Sequence, residues 1–117
     1  NILLFDNGSG TPYSFGSRSW SRVIEVDPTD HSVVWQYDAS SRGRQTLLFF
    51  SPYVSGAQRL WNGNTLICSG LKGRLFEVTR DGELVWEYMS PFHAPHPSSG
   101  DETWSLYRAT RLLPAVR

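Results

Sequence analysis

The chain of 117 residues is long enough for one domain with its own core, and its 5 Trp, 5 Tyr and 6 Phe supply large side chains to bury. Its 11 basic and 11 acidic residues cancel, which argues against nucleic acid or an anionic membrane surface as a partner. No apolar run approaches the roughly 18 residues of a membrane-spanning helix, and the single cysteine, Cys68, excludes an internal disulfide bond.

The amino-terminal part of the chain predicts three strands. An asparagine followed by apolar residues indicates the first, over residues 1–6. Runs rich in β-branched residues indicate two more, over 21–26 and 33–37.

The central stretch, residues 54–88, predicts four further strands. They cover 57–60, 65–68, 74–78 and 83–88. Asn62-Gly63 and Asp81-Gly82 each separate two of these strands, and both dipeptides favour a type I′ hairpin turn, which needs positive φ at two successive residues. The connection 69–73 is too short for a helix, so the stretch is predicted to be an antiparallel meander.

The same strands occur twice in the same order. Residues 1–6 match 64–69, residues 21–26 match 73–78, and residues 33–37 match 84–88. A period of about 50 residues, with four strands and one tryptophan per unit, is typical of a β-propeller or a similar radial array of sheets. An ordinary meander or sandwich whose hairpins look alike by chance is the alternative.

The repeat therefore predicts an all-β fold, an incomplete β-propeller with about two four-stranded antiparallel blades. Residues 1–53 form a partial blade of three strands plus a loop, and residues 54–103 form a complete blade plus a loop. Residues 104–117 supply a closing strand, or the opening strand of a next blade, and a tail. Because propellers have about 4–8 blades, the remaining blades are expected from a missing chain segment or from other copies.

Taken in chain order, seven motifs of the sequence resemble the carboxy-terminal blades of the arylsulfotransferase family. The motifs are F-D-N-G at 5–8, S-R-V-I-E-V-D at 21–27, V-V-W-Q-Y at 33–37, F-S-P-x-x-S-G-A-Q-R-L at 50–60, N-G-N-T-L-I at 62–67, G-R-L-F-E-V-T-x-D-G-E-L-V-W-E-Y at 73–88 and L-Y-R-A-T-R at 106–111. N-G-N-T-L-I and V-W-E-Y also occur in other propellers with tryptophan-docking repeats. The ordered combination that begins with F-D-N-G therefore carries the specificity.

The resemblance implies a six-bladed propeller, periplasmic or secreted, that moves a sulfuryl group from an aryl sulfate to a phenol without a cofactor. In that family a histidine takes the group covalently, and it lies upstream of F-D-N-G. We therefore expect the nucleophile outside this sequence and assign no catalytic residue and no metal ligand here. The alternative is a non-catalytic propeller scaffold or binding module, completed by oligomerisation.

The loops after the second and fourth strands of each blade are expected on one face, where a ligand would bind. Arg42 and Arg44 are candidate anion contacts, because guanidinium groups offer paired donors to sulfate oxygens. His93 and His96, in P-F-H-A-P-H-P, are spaced to reach one ligand. The alternatives are solvated loop arginines and exposed loop histidines held by prolines.

Four more residues are candidates on the same face. Ser51 and Ser55 resemble family positions at the pocket floor, although Val54 stands where some members carry threonine. Asp6 and Asn7 are candidates for the pocket rim, with a strand-end turn stabilised by the side chain as the alternative.

Three residues outside these loops are expected to be structural. Cys68 lies in an apolar strand and is expected to be an inert buried thiol. Glu25 and Glu77 recur at one place in the repeat, which favours pairing with Arg22, with Arg74 or with a neighbouring blade.

Overall fold

The computed structural model describes residues 1–8, 20–38, 49, 51 and 53–113, and it shows an all-β protein with antiparallel sheets. The strands are β1 (Ile2–Asp6), β2 (Arg22–Val26), β3 (Val33–Tyr37), β4 (Gly56–Arg59), β5 (Thr65–Ser69), β6 (Arg74–Val78), β7 (Leu84–Met89), β8 (Ala94–Pro95) and β9 (Glu102–Thr103). The first sheet has the order β1-β2-β3, the second sheet has the order β4-β5-β6-β7, and β8 pairs with β9. All seven strands predicted over residues 1–88 are present.

A single turn of 3-10 helix, Gly70–Lys72, lies between β5 and β6, in a connection that the sequence predicted to hold no helix. It ends at Gly73, whose left-handed conformation (φ 64°) terminates the turn. In the described ranges, no helix has the length and apolar character needed to cross a membrane.

Both glycine-containing hairpin turns have the predicted positions but not the predicted type. The N–H of Gly63 donates to the carbonyl of Leu60, and the N–H of Leu60 donates to the carbonyl of Asn64. Gly63 has φ 89°, whereas Asn62 keeps a negative φ and accepts the Asn64 N–H at its side chain. This is a three-residue loop, a type I turn followed by a left-handed glycine, and Gly82 (φ 86°) ends a second one. The type I′ prediction is wrong because only the glycine of each dipeptide is left-handed.

The apolar core lies between the first and second sheets. Phe49 is at its centre, with its ring centroid 5.6 Å from Phe5, 5.5 Å from Tyr37 and 5.4 Å from Phe76. The other buried members are Val23, Trp35, Ile67 and Val78. Because successive side chains along a strand point to opposite faces of the sheet, each sheet packs one face against this core and its other face points away from it.

The internal repeat is confirmed at the level of strand register. Glu25 lies opposite Trp35 and Glu77 lies opposite Trp86, and the register shifts just after each glutamate. The two sheets therefore share a bulge at the same repeat position, which increases strand twist locally.

The carboxy-terminal segment, residues 104–113, is assigned no strand, so the closing strand expected within residues 104–117 stays a prediction. This segment, which we call the tail, runs beside β4: the N–H of Ser55 donates to the carbonyl of Tyr107. The side-chain amide of Gln58 donates to the carbonyl of Arg111 and accepts its N–H. A side chain therefore takes the hydrogen bonds that a neighbouring strand would supply in a ladder.

Candidate functional site

The predicted ligand face corresponds to the edge where β1 ends and β4 begins. The side-chain amide of Asn7 donates to the carbonyls of Ser51 (2.7 Å) and Val54 (2.8 Å), which ties the segment after β1 to the segment before β4. The Ser21 hydroxyl donates to the carbonyl of Asn7 at 2.9 Å. Asn7 and Ser51 are thus brought together, and Asn7 positions backbone rather than offering a free amide donor.

The backbone at this edge is strained. Val54 has φ 55° and Ser55 has φ 91°, a region that residues with a β-carbon avoid and that is least favourable for a β-branched residue. Each such residue costs about 1–3 kcal/mol, so the conformation persists only where surrounding contacts impose it. The Asn7 amide, bonded to the Ser51 carbonyl before this bend and to the Val54 carbonyl within it, is one such contact.

The hydroxyls of Ser51 and Ser55 are already engaged inside the chain. The Ser55 hydroxyl donates to that of Ser51 (2.8 Å) and accepts the N–H of Gly70 (2.8 Å). The Ser51 hydroxyl donates to the carbonyl of Tyr53 and accepts the N–H of Leu71, and Ser51 has no exposed surface. These two serines therefore hold the 3-10 turn against the edge.

Asp6 stabilises a turn at the end of a strand, which is the alternative predicted for it. Its carboxylate accepts the N–H of Gly8 at 3.2 Å, which is a side-chain-stabilised turn at the strand end. The other carboxylate oxygen accepts Nε of Arg22 at 2.8 Å. Asp6 thus closes the end of β1, beside the rim to which Asn7 belongs.

An open cleft of about 690 Å³ lies where β1, β4 and the tail meet. It is lined by Leu3, Leu4, Phe5, Asn7, Val54, Ser55, Gly56, Ala57, Gln58, Tyr107, Arg108, Ala109 and Thr110. Among these residues Arg108 is the cation. Sequence reasoning missed it, although L-Y-R-A-T-R in the tail aligns with the β4 segment S-G-A-Q-R and places an arginine where β4 has Gly56.

The two candidate histidines have different partners. Nδ1 of His93 lies 2.6 Å from the Glu102 carboxylate, and its ring packs 5.2 Å from Trp104 between centroids. Nδ1 of His96 accepts the N–H of Ser98 and so stabilises its own turn. A smaller cleft of about 270 Å³ places His96 near Tyr53 and Trp104, with His93 outside its lining. Within the described ranges, no group of three His, Cys, Asp or Glu residues is placed to hold a metal ion.

The recurring glutamates pair across the chain rather than with Arg22 or Arg74. Glu25 of the first sheet accepts Arg59 of the second sheet, which agrees with the predicted pairing to a neighbouring unit. The Asn1 amide, followed by Arg59, holds the pKa of Glu25 below its usual range despite partial burial.

Glu77 repeats this arrangement on the second sheet. It accepts Arg111 of the tail and the side-chain amide of Asn64. Burial raises the pKa of Glu77, but the hydrogen bonds from Asn64 and Arg111 outweigh it, so that the net pKa is lowered. Arg22 and Arg74 pair instead with Asp6 and Glu87.

Cys68 has the properties expected of an inert thiol. It is 1% exposed in β5, and burial raises its pKa to about 11. Its thiol therefore stays protonated at neutral pH, and thiol chemistry at this position is disfavoured.

Arg42 and Arg44 lie outside the residues that the structure describes, so their place relative to the cleft stays a prediction. No family model, no curated protein and no solved structure matches this chain. The functional argument consequently depends on the residues themselves.

Proposed function

We propose that this chain is the carboxy-terminal sector of an arylsulfotransferase-like β-propeller, which is exported and transfers a sulfuryl group between phenols. The histidine nucleophile belongs to a part of the propeller outside this sequence. The ordered motifs support the proposal, together with two adjacent sheets that repeat the same strand order and the same bulge. This chain contributes a wall of the substrate pocket and the contacts that keep that wall rigid.

The observation that carries the proposal is the composition of the cleft between β1, β4 and the tail. Its apolar wall, which includes Leu3, Phe5 and Ala57, suits an aromatic ring, and Arg108 suits an anionic group attached to that ring. Its volume of about 690 Å³ falls within the roughly 300–1,000 Å³ of small-molecule sites. An aryl sulfate combines an apolar ring with an anion in this way.

In the proposed reaction, an imidazole nitrogen attacks sulfur while the bond between sulfur and the aryl oxygen breaks, and the phenolate leaves. The oxygen of the acceptor phenol then attacks the same sulfur and gives up its proton to solvent, while the sulfur–nitrogen bond breaks and its electron pair returns to the imidazole nitrogen. Arg108 would stabilise negative charge on the sulfuryl oxygens, and Arg42 and Arg44 are further candidates for that role. Asn7 and the strained Val54–Ser55 bend act as positioning residues for the wall.

Binding of 4-nitrophenyl sulfate to the chain tests this assignment. We expect Arg108→Gln to weaken binding at least about tenfold, which is the loss of one charge-assisted contact. Arg80→Gln is the matched control, because Arg80 lies outside the cleft and is 60% exposed. Equal affinities of the two variants would remove Arg108 from the site.

Turnover needs a separate measurement, on a polypeptide that carries these strands together with the preceding blades. Release of 4-nitrophenol and a sulfohistidine found by mass spectrometry are the expected results. If the substrate is bound but neither product forms, the enzyme proposal is wrong.

The second candidate is a non-catalytic propeller that acts as a scaffold or binding module. It is favoured by the Ser51 and Ser55 hydroxyls, whose partners are all within the chain, and by the separate partners of His93 and His96. A scaffold would not turn over an aryl sulfate, and the substitution Arg108→Gln would leave its binding function unchanged.

A further inference from the structure

We propose that the smaller cleft, beside the β8–β9 hairpin, binds a small organic cation, an ammonium or guanidinium group attached to an apolar group. The proposal concerns the cleft of about 270 Å³ and is independent of sulfuryl transfer, which is assigned to the larger cleft. It is argued from a contact between a cation, an aromatic ring and a carboxylate that recurs within this chain.

Three arginines of the chain each lie over an aromatic ring and pair with a carboxylate. The three sets, each given as arginine, ring and carboxylate, are Arg59, Trp35 and Glu25; Arg111, Trp86 and Glu77; and Arg74, Phe76 and Glu87. The guanidinium carbon lies between 4.1 and 4.8 Å from the ring centroid in all three sets. In this fold, a ring face and a carboxylate thus act together as a receptor for a cation.

A fourth aromatic ring and carboxylate, Trp104 and Glu102, lie beside the smaller cleft. On one side of this pair, His93 stands where the other sets have an arginine. Its ring centroid is 5.2 Å from that of Trp104, and its Nδ1 is 2.6 Å from the Glu102 carboxylate. Trp104 and Glu102 both line the cleft, whereas His93 does not. The cleft therefore lies on a side of the pair that His93 leaves uncovered.

The rest of the lining has the composition that a cation requires. Tyr53 adds a second ring, and Tyr53 and Trp104 are 46% and 43% exposed, so both rings keep surface for a ligand. Asp101, next to Glu102 in sequence, adds a second carboxylate. No arginine or lysine is among the described residues that line this cleft, whereas Arg108 lines the larger one. The two clefts therefore select ligands of opposite charge.

His96 is the basic side chain of the lining, and its hydrogen bond indicates a neutral ring. Its Nδ1 accepts the N–H of Ser98, so this nitrogen carries no proton, whereas both nitrogens of a charged imidazole are donors. His96 therefore adds no positive charge that would repel a cation.

The groups around the cleft are held in place by the backbone. Pairing of β8 with β9 sets Glu102 opposite Pro95, and the N–H of His96 donates to the carbonyl of Asp101 at 2.7 Å. Trp104 packs closely on Gly73, where an added β-carbon would lie 2.4 Å from the Trp104 carbonyl oxygen. A site whose ring and carboxylates are already fixed loses less conformational entropy when a ligand binds.

The size of the cleft limits the ligand to a small molecule. Its volume of about 270 Å³ is slightly below the roughly 300–1,000 Å³ of sites for drug-sized ligands. The two rings favour a cation with an apolar part, because contact between a cation and a ring is stronger where water is displaced. Benzylammonium, with one ring and one ammonium group, meets both conditions and is the probe for the experiment.

Titration of the 117-residue chain with benzylamine at about pH 7, where this amine is protonated, is the first test. The indole N–H signals in NMR spectra report binding, and benzyl alcohol is the control ligand because it has a similar shape without the charge. We expect benzylammonium to bind at least about fivefold more tightly than benzyl alcohol, and this preference to shrink at high salt. Equal affinities, or no saturable binding of benzylammonium, would overturn the proposal.

A charge-removing variant tests the carboxylate. Glu102→Gln should weaken the binding of benzylammonium at least about fivefold and leave the binding of benzyl alcohol unchanged. Glu87→Gln is the matched control, because Glu87 also pairs with a cation and its side chain is similarly exposed (41% against 49%), but it lies outside the cleft. Equal effects of the two substitutions would contradict the assignment.

A second pair of variants tests the aromatic ring. Trp104→Leu keeps an apolar side chain but removes the ring face, so it should weaken the binding of benzylammonium more than that of benzyl alcohol. Trp61→Leu is the matched control, since Trp61 is 58% exposed in the turn between β4 and β5 and lies outside the cleft. Unchanged binding of benzylammonium by Trp104→Leu would overturn the proposal.

Discussion

Arg111 of the tail repeats, on the second sheet, the position that Arg59 takes on the first. Arg59 pairs with Glu25 and lies 4.4 Å from the ring centroid of Trp35, and Arg111 pairs with Glu77 and lies 4.8 Å from that of Trp86. Each arginine combines an ion pair with a contact to an aromatic face, which guanidinium geometry favours. The tail thus repeats, beside the second sheet, the arginine contacts that β4 makes with the first sheet, although it forms no strand of its own.

The Glu25 carboxylate is expected to stabilise the contact between the two sheets. Its side chain is 15% exposed and accepts both Arg59 and Asn1. Glu25→Gln should lower the free energy of unfolding by about 1–3 kcal/mol, because hydrogen bonds to a charged group are lost. Urea denaturation followed by tryptophan fluorescence measures the change. Arg80→Gln is the control, since Arg80 is 60% exposed and 3.9 Å from Glu25, and should change stability by less than about 0.5 kcal/mol.

Gly70 is expected to be indispensable for seating the tail. A β-carbon at Gly70 would lie 2.1 Å from the carbonyl oxygen of Leu106 and 2.6 Å from a methyl group of Val54. Gly70→Ala should therefore displace the tail, break the hydrogen bond from the Leu106 N–H to the Gly70 carbonyl, and cost about 1–3 kcal/mol. Faster proteolysis within residues 104–113 would report the displacement.

Gly56→Ala is the matched substitution for Gly70→Ala. A β-carbon at Gly56 would lie 3.8 Å from Cγ of Arg108, an ordinary contact, and Gly56 does not have a positive φ. This variant should keep the tail protected and leave stability equal or slightly higher. Equal proteolysis of the two variants would contradict the role assigned to Gly70.

Strand positions could be predicted because two sequence signals agreed: the residue pattern within each strand and the turn-forming residues at its ends. In β2 and β6, β-branched and aromatic residues recur between turn signals, and the matched arginine and glutamate positions revealed the repeat before any pairing was known. The turn type was missed because Asn-Gly suits two hairpin loops, and the choice depends on whether the asparagine adopts a left-handed or a right-handed conformation. Here Asn62 uses its side chain to accept the Asn64 N–H instead.

The site was harder to predict than the fold, because the roles of its polar residues depend on which partners the fold supplies. From the sequence, Ser51 and Ser55 fit equally well as ligand contacts and as structural hydroxyls. Only their hydrogen bonds, to Leu71 and Gly70 respectively, distinguish these two roles. Arg108 gave no separate signal, since an arginine in the tail becomes part of a cleft only where the tail crosses β4.

Acid should destabilise the protein through the two recurring glutamates. The folded-state pKa values of Glu25 and Glu77 are lowered, so both carboxylates contribute stability above the unfolded value of about 4.3 and lose it as the pH falls through the folded value. We expect the melting temperature to be nearly constant between about pH 7 and pH 5 and to fall below about pH 4.3. The stability gap between wild type and Glu25→Gln should narrow as the pH falls below about 4.3. A gap that does not narrow in this acidic range would contradict the assignment.

Cys68 should report opening of the second sheet. Its thiol is 1% exposed, and burial raises its pKa to about 11, so that at pH 8 only about one thiol in a thousand is ionised even before access is considered. Because the folded pKa lies above the unfolded value of about 8.5, this thiol contributes stability that is full below about pH 8.5 and is lost as the pH rises towards 11.

Native protein should react with a chromogenic disulfide reagent at least about a thousandfold more slowly than protein in denaturant. A variant that combines Cys68→Ala with Ser32→Cys places the thiol on an exposed turn and should react at the rate of a free thiol. Rapid reaction of Cys68 in folded protein would show that β5 is accessible and would contradict its place in the buried part of the sheet.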